Sequence, residues 1–144
     1  MASAAVALDT MVVSALLHPA RSHPAAADYR ARIAARPVVV SFVVVTELRY
    51  GALKAGWGEL RRRALERDLG RFVIVQPDDG LMQRCAELRC ECERAGLPLG
   101  QKVHEADRWV AATALYLNLD LVSDDGVFSD VPGLSIVGSK PPAS

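Results

Sequence analysis

The sequence predicts an α/β fold in which helices cover both faces of a parallel sheet. Three observations carry that prediction. Short β-branched runs alternate with longer helical patterns, no internal repeat or linker interrupts them, and 144 residues suit one domain. Val6-Ala7-Leu8 is the first apolar run, and Asp9-Thr10 separates it from residues 11–17, whose apolar pattern suits a buried helix. His18-Pro19 ends that helix. Pro24, near the start of residues 25–35, opens a second helix, where its missing N–H does little harm. Pro37 leads into Val38-Val39-Val40, a buried strand. Ser41 then caps a helix over 43–55 that closes at Gly56.

Residues 59–69 read as a charged helix ending at Gly70, and 72–75 as a third strand stopped by Pro77. Asp78 and Asp79 open a long helix running to Ala95, with Gly96 at its end. A loop over 97–102 precedes a helix over 104–117 built largely from small and apolar residues. Residues 119–122 form a fourth strand and 134–137 a fifth. The domain is expected over residues 1–137, and 138–144 as a disordered tail.

Composition narrows the function classes. A hydrophobic fraction of 51% and a charged fraction of 24% are those of an ordinary globular chain. Lys+Arg and Asp+Glu balance at 17 each, so any attraction for phosphate must come from local patches. The N-terminus shows no secretory pattern, and the strongest apolar stretch, residues 38–45, is far below the ~20 residues of a membrane helix. A cytoplasmic chain with no membrane partner is expected. Cys85, Cys90 and Cys92 are odd in number and crowded into one helix, with Cys85 and Cys92 on one face and Cys90 off it. That pattern predicts reduced thiols, neither a disulfide framework nor a zinc site. His18, His23 and His104 are scattered.

In open parallel sheets ligands bind beyond the carboxyl ends of the strands. Asp9 directly follows the first strand, Glu47 lies in the helix after the second, and Asp125 follows the fourth after Ser123. Asp107 reaches the same edge if its helix begins there, as the polar-to-apolar switch after Lys102 suggests. Each acid has a structural alternative: Asp9 as a helix N-cap, Glu47 as a solvated helix residue, Asp107 as a partner of a helix dipole, Asp125 as a turn residue. Taken together they are harder to dismiss. Two carboxylates ~4 Å apart repel by ~4 kcal/mol at an effective dielectric of ~20, so a cluster needs protons or a cation. Oxygen-only ligands favour Mg²⁺ or Mn²⁺ over zinc.

At these residues the sequence resembles the PIN-domain family, and within it the VapC toxins. Leu8-Asp9-Thr10 resembles the opening motif, an acid at the end of the first strand followed by a hydroxyl residue. Thr46-Glu47-Leu48-Arg49-Tyr50-Gly51 is similar to the T-E-L-x-x-G motif, and Asp107-Arg108-Trp109-Val110-Ala111-Ala112-Thr113-Ala114 to D-x-W-I-A-A-T-A, with Val for Ile. Leu121-Val122-Ser123-Asp124-Asp125 resembles the fourth motif, a hydroxyl residue, a variable one, then Asp or Asn; Ser123 stands for the commoner Thr. The family register favours Asp125 as the fourth acid, with Asp124 as second choice. The resemblance runs from the first strand to Pro132-Gly133-Leu134. It implies a three-layer α/β/α sandwich with a four- or five-stranded parallel sheet and endoribonuclease activity. It also implies a cognate VapB-type antitoxin, frequent homodimers, and structured RNA such as tRNA or ribosomal RNA as substrate.

The expected mechanism is hydrolysis of a phosphodiester by metal-activated water, with Asp9, Glu47, Asp107 and Asp125 as catalytic residues holding one or two cations. Thr10 and Ser123 would orient those carboxylates. By family analogy the products carry 5′-phosphate and 3′-hydroxyl ends. Arg49 and Arg108, each beside an acidic motif, are candidate RNA contacts, and their alternative is a solvated helix charge. The same choice applies to Arg61-Arg62-Arg63 with Arg67 and Arg71. Trp57 and Trp109 are candidates to stack on bases, though Trp109 reads better as core or dimer interface. His104, three residues before Asp107, is either a proton carrier or an ordinary helix-start histidine.

Three other functions compete. A phosphotransferase of the haloacid-dehalogenase kind wants a second acid two residues after the first, where Met11 stands. A response-receiver domain wants an acidic pair before the first helix, where Asp9 stands alone. A PIN fold that binds RNA or a partner without chemistry has no need of all four acids.

Overall fold

The computed structural model describes residues 4–17 and 24–141. The expected helix stop at His18-Pro19 and residues 142–144 of the expected tail lie outside them. In chain order the elements are β1 (Val6–Leu8), α1 (Thr10–Leu17), α2 (Ala26–Ile33), β2 (Val38–Ser41), α3 (Phe42–Lys54), α4 (Glu59–Leu69) and β3 (Val73–Val75). They continue with α5 (Asp79–Arg94), α6 (Glu105–Leu117), β4 (Asp120–Val122) and β5 (Ile136–Val137). Short 3₁₀ turns at Pro98–Gly100, Lys102–His104 and Gly126–Phe128 fill the longer connections.

The strands form one parallel sheet in the order β3-β2-β1-β4-β5. Successive residues of a strand face opposite sides, and Val6, Ala7 and Leu8 are all buried. Both faces of the central strand are therefore covered, which makes the three-layer α/β/α sandwich that was expected. Helix α6 lies against β1, β2 and β4 and packs on α5. Its small residues Ala111, Ala112 and Ala114 are fully buried and allow that close approach.

Local chemistry sets the helix limits where the sequence placed them. Ser41 accepts a hydrogen bond from the Val43 amide at 3.4 Å, and Asp78 accepts one from Leu81 at 2.8 Å, so both are N-caps. Gly56 (φ +70°) and Gly96 (φ +69°) adopt the left-handed conformation that ends α3 and α5, each followed by a backbone bond back into its helix. Cys85 and Cys92 are buried on the inner face of α5, and Cys90 is exposed.

Two elements differ from expectation. The fifth strand starts at Ile136, because Leu134 donates its amide to Val131 in a turn through Pro132 and Gly133. Within the expected tail, Ser139 donates its amide to Asp124 at 3.0 Å.

Arg108 also differs from the solvated charge that was one expectation for it. It is 2% exposed, and its guanidinium donates to the Leu99 and Gln101 carbonyls. It is therefore no solvated charge; it ties the 98–104 segment onto α6. Arg108→Ala should lower the unfolding free energy by about 2–4 kcal/mol in urea titrations, because two buried carbonyls lose a charged donor. A loss under about 0.5 kcal/mol would mean the clamp contributes little.

Candidate metal centre

The strand order reverses between β1 and β4, where the carboxyl ends of two neighbouring strands emerge side by side. Leu8 is level with Val122, so Asp9 and Ser123 are the next residues out, and the Asp9 amide donates to the Val122 carbonyl at 3.4 Å. This is the crevice in which open α/β sheets bind their ligands.

Asp9 is 5% exposed and makes two neutral contacts. One carboxylate oxygen accepts the Val12 amide at 2.9 Å, which makes Asp9 the N-cap of α1. The other accepts the Ser123 hydroxyl. The capping alternative is thus true of Asp9, and it leaves the charge unanswered. Glu47, half-buried on α3, accepts a hydrogen bond from Thr10. Asp107 sits in the first turn of α6 with His104 Nδ1 3.2 Å from its carboxylate. Asp125 caps the 126–128 turn through the Val127 amide at 2.9 Å, and its own amide donates to Ser123 Oγ at 3.0 Å.

These acids sense one another. Burial is the main force raising the Asp9 pKa; the Ser123 and Val12 bonds oppose it, and the charges of Asp125 and Asp107 add to it. Burial likewise raises Glu47, against the Thr10 bond, with Asp107 and Asp9 adding repulsion. Asp107 is raised by burial, relieved in part by His104, and pushed further by Asp125. Among the described residues no Lys, Arg or His forms an ion pair with Asp9, Glu47 or Asp125.

The donor set is oxygen-only, anionic and short of counter-charge, which suits a hard divalent cation. Among the described residues no three acid, imidazole or thiol side chains already stand close enough to clasp an ion between them.

Thr10 donates to Glu47 and Ser123 to Asp9, so both hydroxyls contact carboxylates at the crevice. Arg49 does not face the acids: it forms a two-point fork with Glu66 of α4, at 3.1 and 2.6 Å. In the basic run, Arg61 stacks on Trp57 with 3.8 Å to the ring centroid, Arg63 pairs with Glu59, and Arg71 with Asp68. Trp109 packs edge-on against Phe42, centroids 5.2 Å apart.

Asp124 takes a separate part. Burial would raise its pKa, but bonds from Ser139 and Tyr29 and the charge of Lys140 together hold it below the ordinary value. Tyr29 is the residue sequence reasoning missed. It lines a cavity of about 250 Å³ with Asp9, Met11, Asp124 and Asp125. Buried on α2 and with its partner 95 positions away, it reads in sequence as a core aromatic.

Three raised carboxyl pKa values fix the sign of a pH effect. The folded state holds protons more tightly than the unfolded chain, whose values are about those of free Asp (3.8) and Glu (4.5). This contribution to stability is greatest below those values and is lost as pH rises through the raised ones. Asp9→Asn keeps an oxygen for the Val12 amide and a donor for Ser123 while removing the charge. Its Tm at pH 7 should equal or exceed that of the parent, and the gap should close towards pH 4. A fall of more than about 4 °C at pH 7, roughly 1 kcal/mol, would show the carboxylate to be net stabilising.

A family model described as PIN domain matches residues 6–134. No curated protein matches the sequence. Among solved structures, the fold is similar to VapBC2 from Rickettsia felis bound to a promoter DNA fragment, with TM-score 0.75, 24% identity, and 93% of this chain and 98% of that one covered. It is similar to DNA-bound VapBC from Salmonella typhimurium, with TM-score 0.72, 22% identity and coverage of 97% and 100%. It is also similar to VapBC-5, a toxin–antitoxin system of Mycobacterium tuberculosis, with TM-score 0.66, 27% identity and coverage of 94% and 98%.

Proposed function

This chain belongs to the PIN-domain family, and on that premise we propose that it is a metal-dependent endoribonuclease, the VapC-type toxin of a toxin–antitoxin pair. The observation that carries the reading is Asp9, a buried carboxylate with neutral partners only, beside three further acids at the crevice of the sheet. Buried carboxylates are rare unless paired or bound to metal.

Asp9, Glu47, Asp107 and Asp125 would hold Mg²⁺ or Mn²⁺, directly or through water. When bound, the cation supplies Lewis-acid activation of water and neutralises charge at the phosphate. The Ser123 hydroxyl and the Val12 amide hold the Asp9 carboxylate in one orientation, and Thr10 does the same for Glu47. In the hydrolysis, water oxygen bonds to phosphorus and the 3′ oxygen leaves with a proton, giving 5′-phosphate and 3′-hydroxyl ends. The similar solved structures are toxin–antitoxin complexes, which supports a VapB-type antitoxin as partner of this chain. Homodimerisation, a structured RNA such as tRNA or ribosomal RNA as substrate, and a cytoplasmic location complete the proposal. Among the described residues no helix is long and apolar enough to cross a membrane.

Incubation of the purified protein with RNA should yield new 5′-phosphate ends with Mg²⁺ or Mn²⁺ and none with EDTA. Asp9→Asn and Asp107→Asn should each lower the rate by at least about 100-fold, and Ser123→Ala by about 10- to 100-fold. Cleavage that persists in EDTA, or that survives Asp9→Asn, rejects the metal mechanism. RNA binding without new ends would favour the non-catalytic PIN module.

Expression of the chain without its partner should arrest growth, and co-expression of the antitoxin should restore it. Harmless expression of folded, RNA-cleaving protein would remove the toxin role while leaving the nuclease.

A further inference from the structure

Both oxygens of the Asp124 carboxylate are occupied. Tyr29, 3% exposed, donates its hydroxyl to Oδ2 at 2.7 Å, and the Ser139 amide donates to Oδ1 at 3.0 Å. The chain after β5 can approach that closely because residue 138 is glycine: a Cβ there would stand 2.8 Å from Asp124 Oδ1. The preceding residue is fastened as well, since Ser123 donates its amide to the Val137 carbonyl and its hydroxyl to Asp9. A side chain on α2, the segment after β5 and the end of β1 thus converge on residues 123 and 124.

Successive side chains of an extended segment point to opposite sides. Asp125 is extended (φ −76°, ψ 125°), so with Asp124 held by Tyr29 and Ser139 on one side of the chain its own carboxylate leaves on the other, both bordering the cavity with Asp9. The charge of Asp125 acts on both Asp9 and Asp107, in keeping with that direction.

We propose that Asp124 is no member of the metal-holding set but a buckle, closed by Tyr29 and the Ser139 amide across Gly138, that aims Asp125 into the crevice. Tyr29 is then a positioning residue, acting on the reaction through Asp125. The link to catalysis rests on the nuclease reading above; the buckle itself does not.

The test uses the full chain in four variants: Tyr29→Phe, Asp124→Asn, Asp124→Ala and Asp125→Asn. Amide hydrogen exchange without metal or RNA reads the buckle directly. Tyr29→Phe should speed exchange of the Asp125 and Val127 amides by about 5- to 10-fold, the loss of one hydrogen bond. Mn²⁺ titration by calorimetry reads the aim. Asp124→Asn, which can still engage both Tyr29 and Ser139, should keep Mn²⁺ affinity within about threefold, whereas Asp124→Ala and Tyr29→Phe should weaken it by about 10-fold or more. Asp125→Asn should weaken it at least as far. In RNA cleavage Tyr29→Phe should lower kcat with KM nearly unchanged.

Unchanged exchange in Tyr29→Phe overturns the buckle. Asp124→Asn losing as much Mn²⁺ affinity as Asp125→Asn overturns it too, by making Asp124 a ligand. If the parent binds no Mn²⁺, the nuclease reading fails, and the exchange measurement alone still decides the buckle.

Discussion

One contact organises the candidate site: the Ser123 hydroxyl on the Asp9 carboxylate, joining the ends of two strands 114 residues apart in sequence. It exists because β4 pairs with β1 in the register that puts Val122 opposite Leu8. A slip of β4 by one residue would turn that strand's side chains to the opposite faces and separate the pair. The sheet is short, with three residues in β1 and three in β4, so register is protected elsewhere as well. At the opposite end Arg36 bonds to the Ala4 carbonyl at 2.8 Å and to the Asp120 carboxylate at 3.0 Å, pinning the starts of the same two strands. The crevice is thus as exact as the pairing that makes it.

Much of this was legible in the sequence, for reasons that differ by residue. Asp9 and Ser123 follow β-branched or apolar runs, and a parallel sheet fixes where such runs end. Ser41, Asp78, Gly56 and Gly96 declared the helix limits because capping is local chemistry. What the sequence left open was direction. Arg108 occupies a motif beside an acid, yet the helix turns it inward to the Leu99 and Gln101 carbonyls. Arg49 sits two residues after Glu47 and points to Glu66 instead. Neighbours in sequence on a helix face different ways, so adjacency to an acid says little about contact with its ligand. Tyr29 and Asp124 were illegible for another reason. Their bond depends on tertiary contact between α2 and the segment after β4, which no local pattern announces.

The electrostatics also bear on the proposed catalytic reading of this fold. A PIN fold that only binds a partner has no use for charge at residue 9. Asparagine there would preserve the N-cap and the Ser123 contact and relieve the burial that now raises the Asp9 pKa. The same reasoning applies to Glu47 and Asp107, whose pKa values are raised chiefly by burial and then by each other's or Asp125's charge. Each is a local loss of stability at neutral pH. Such losses gather at sites where a ligand or a reaction uses the charge, and they are uncommon where only the fold is served. Asp124 is held differently. It is equally acidic and lies one residue from the cluster, but neutral donors and Lys140 hold its pKa down. The loop after β4 thus stabilises the Asp124 carboxylate through Tyr29, Ser139 and Lys140.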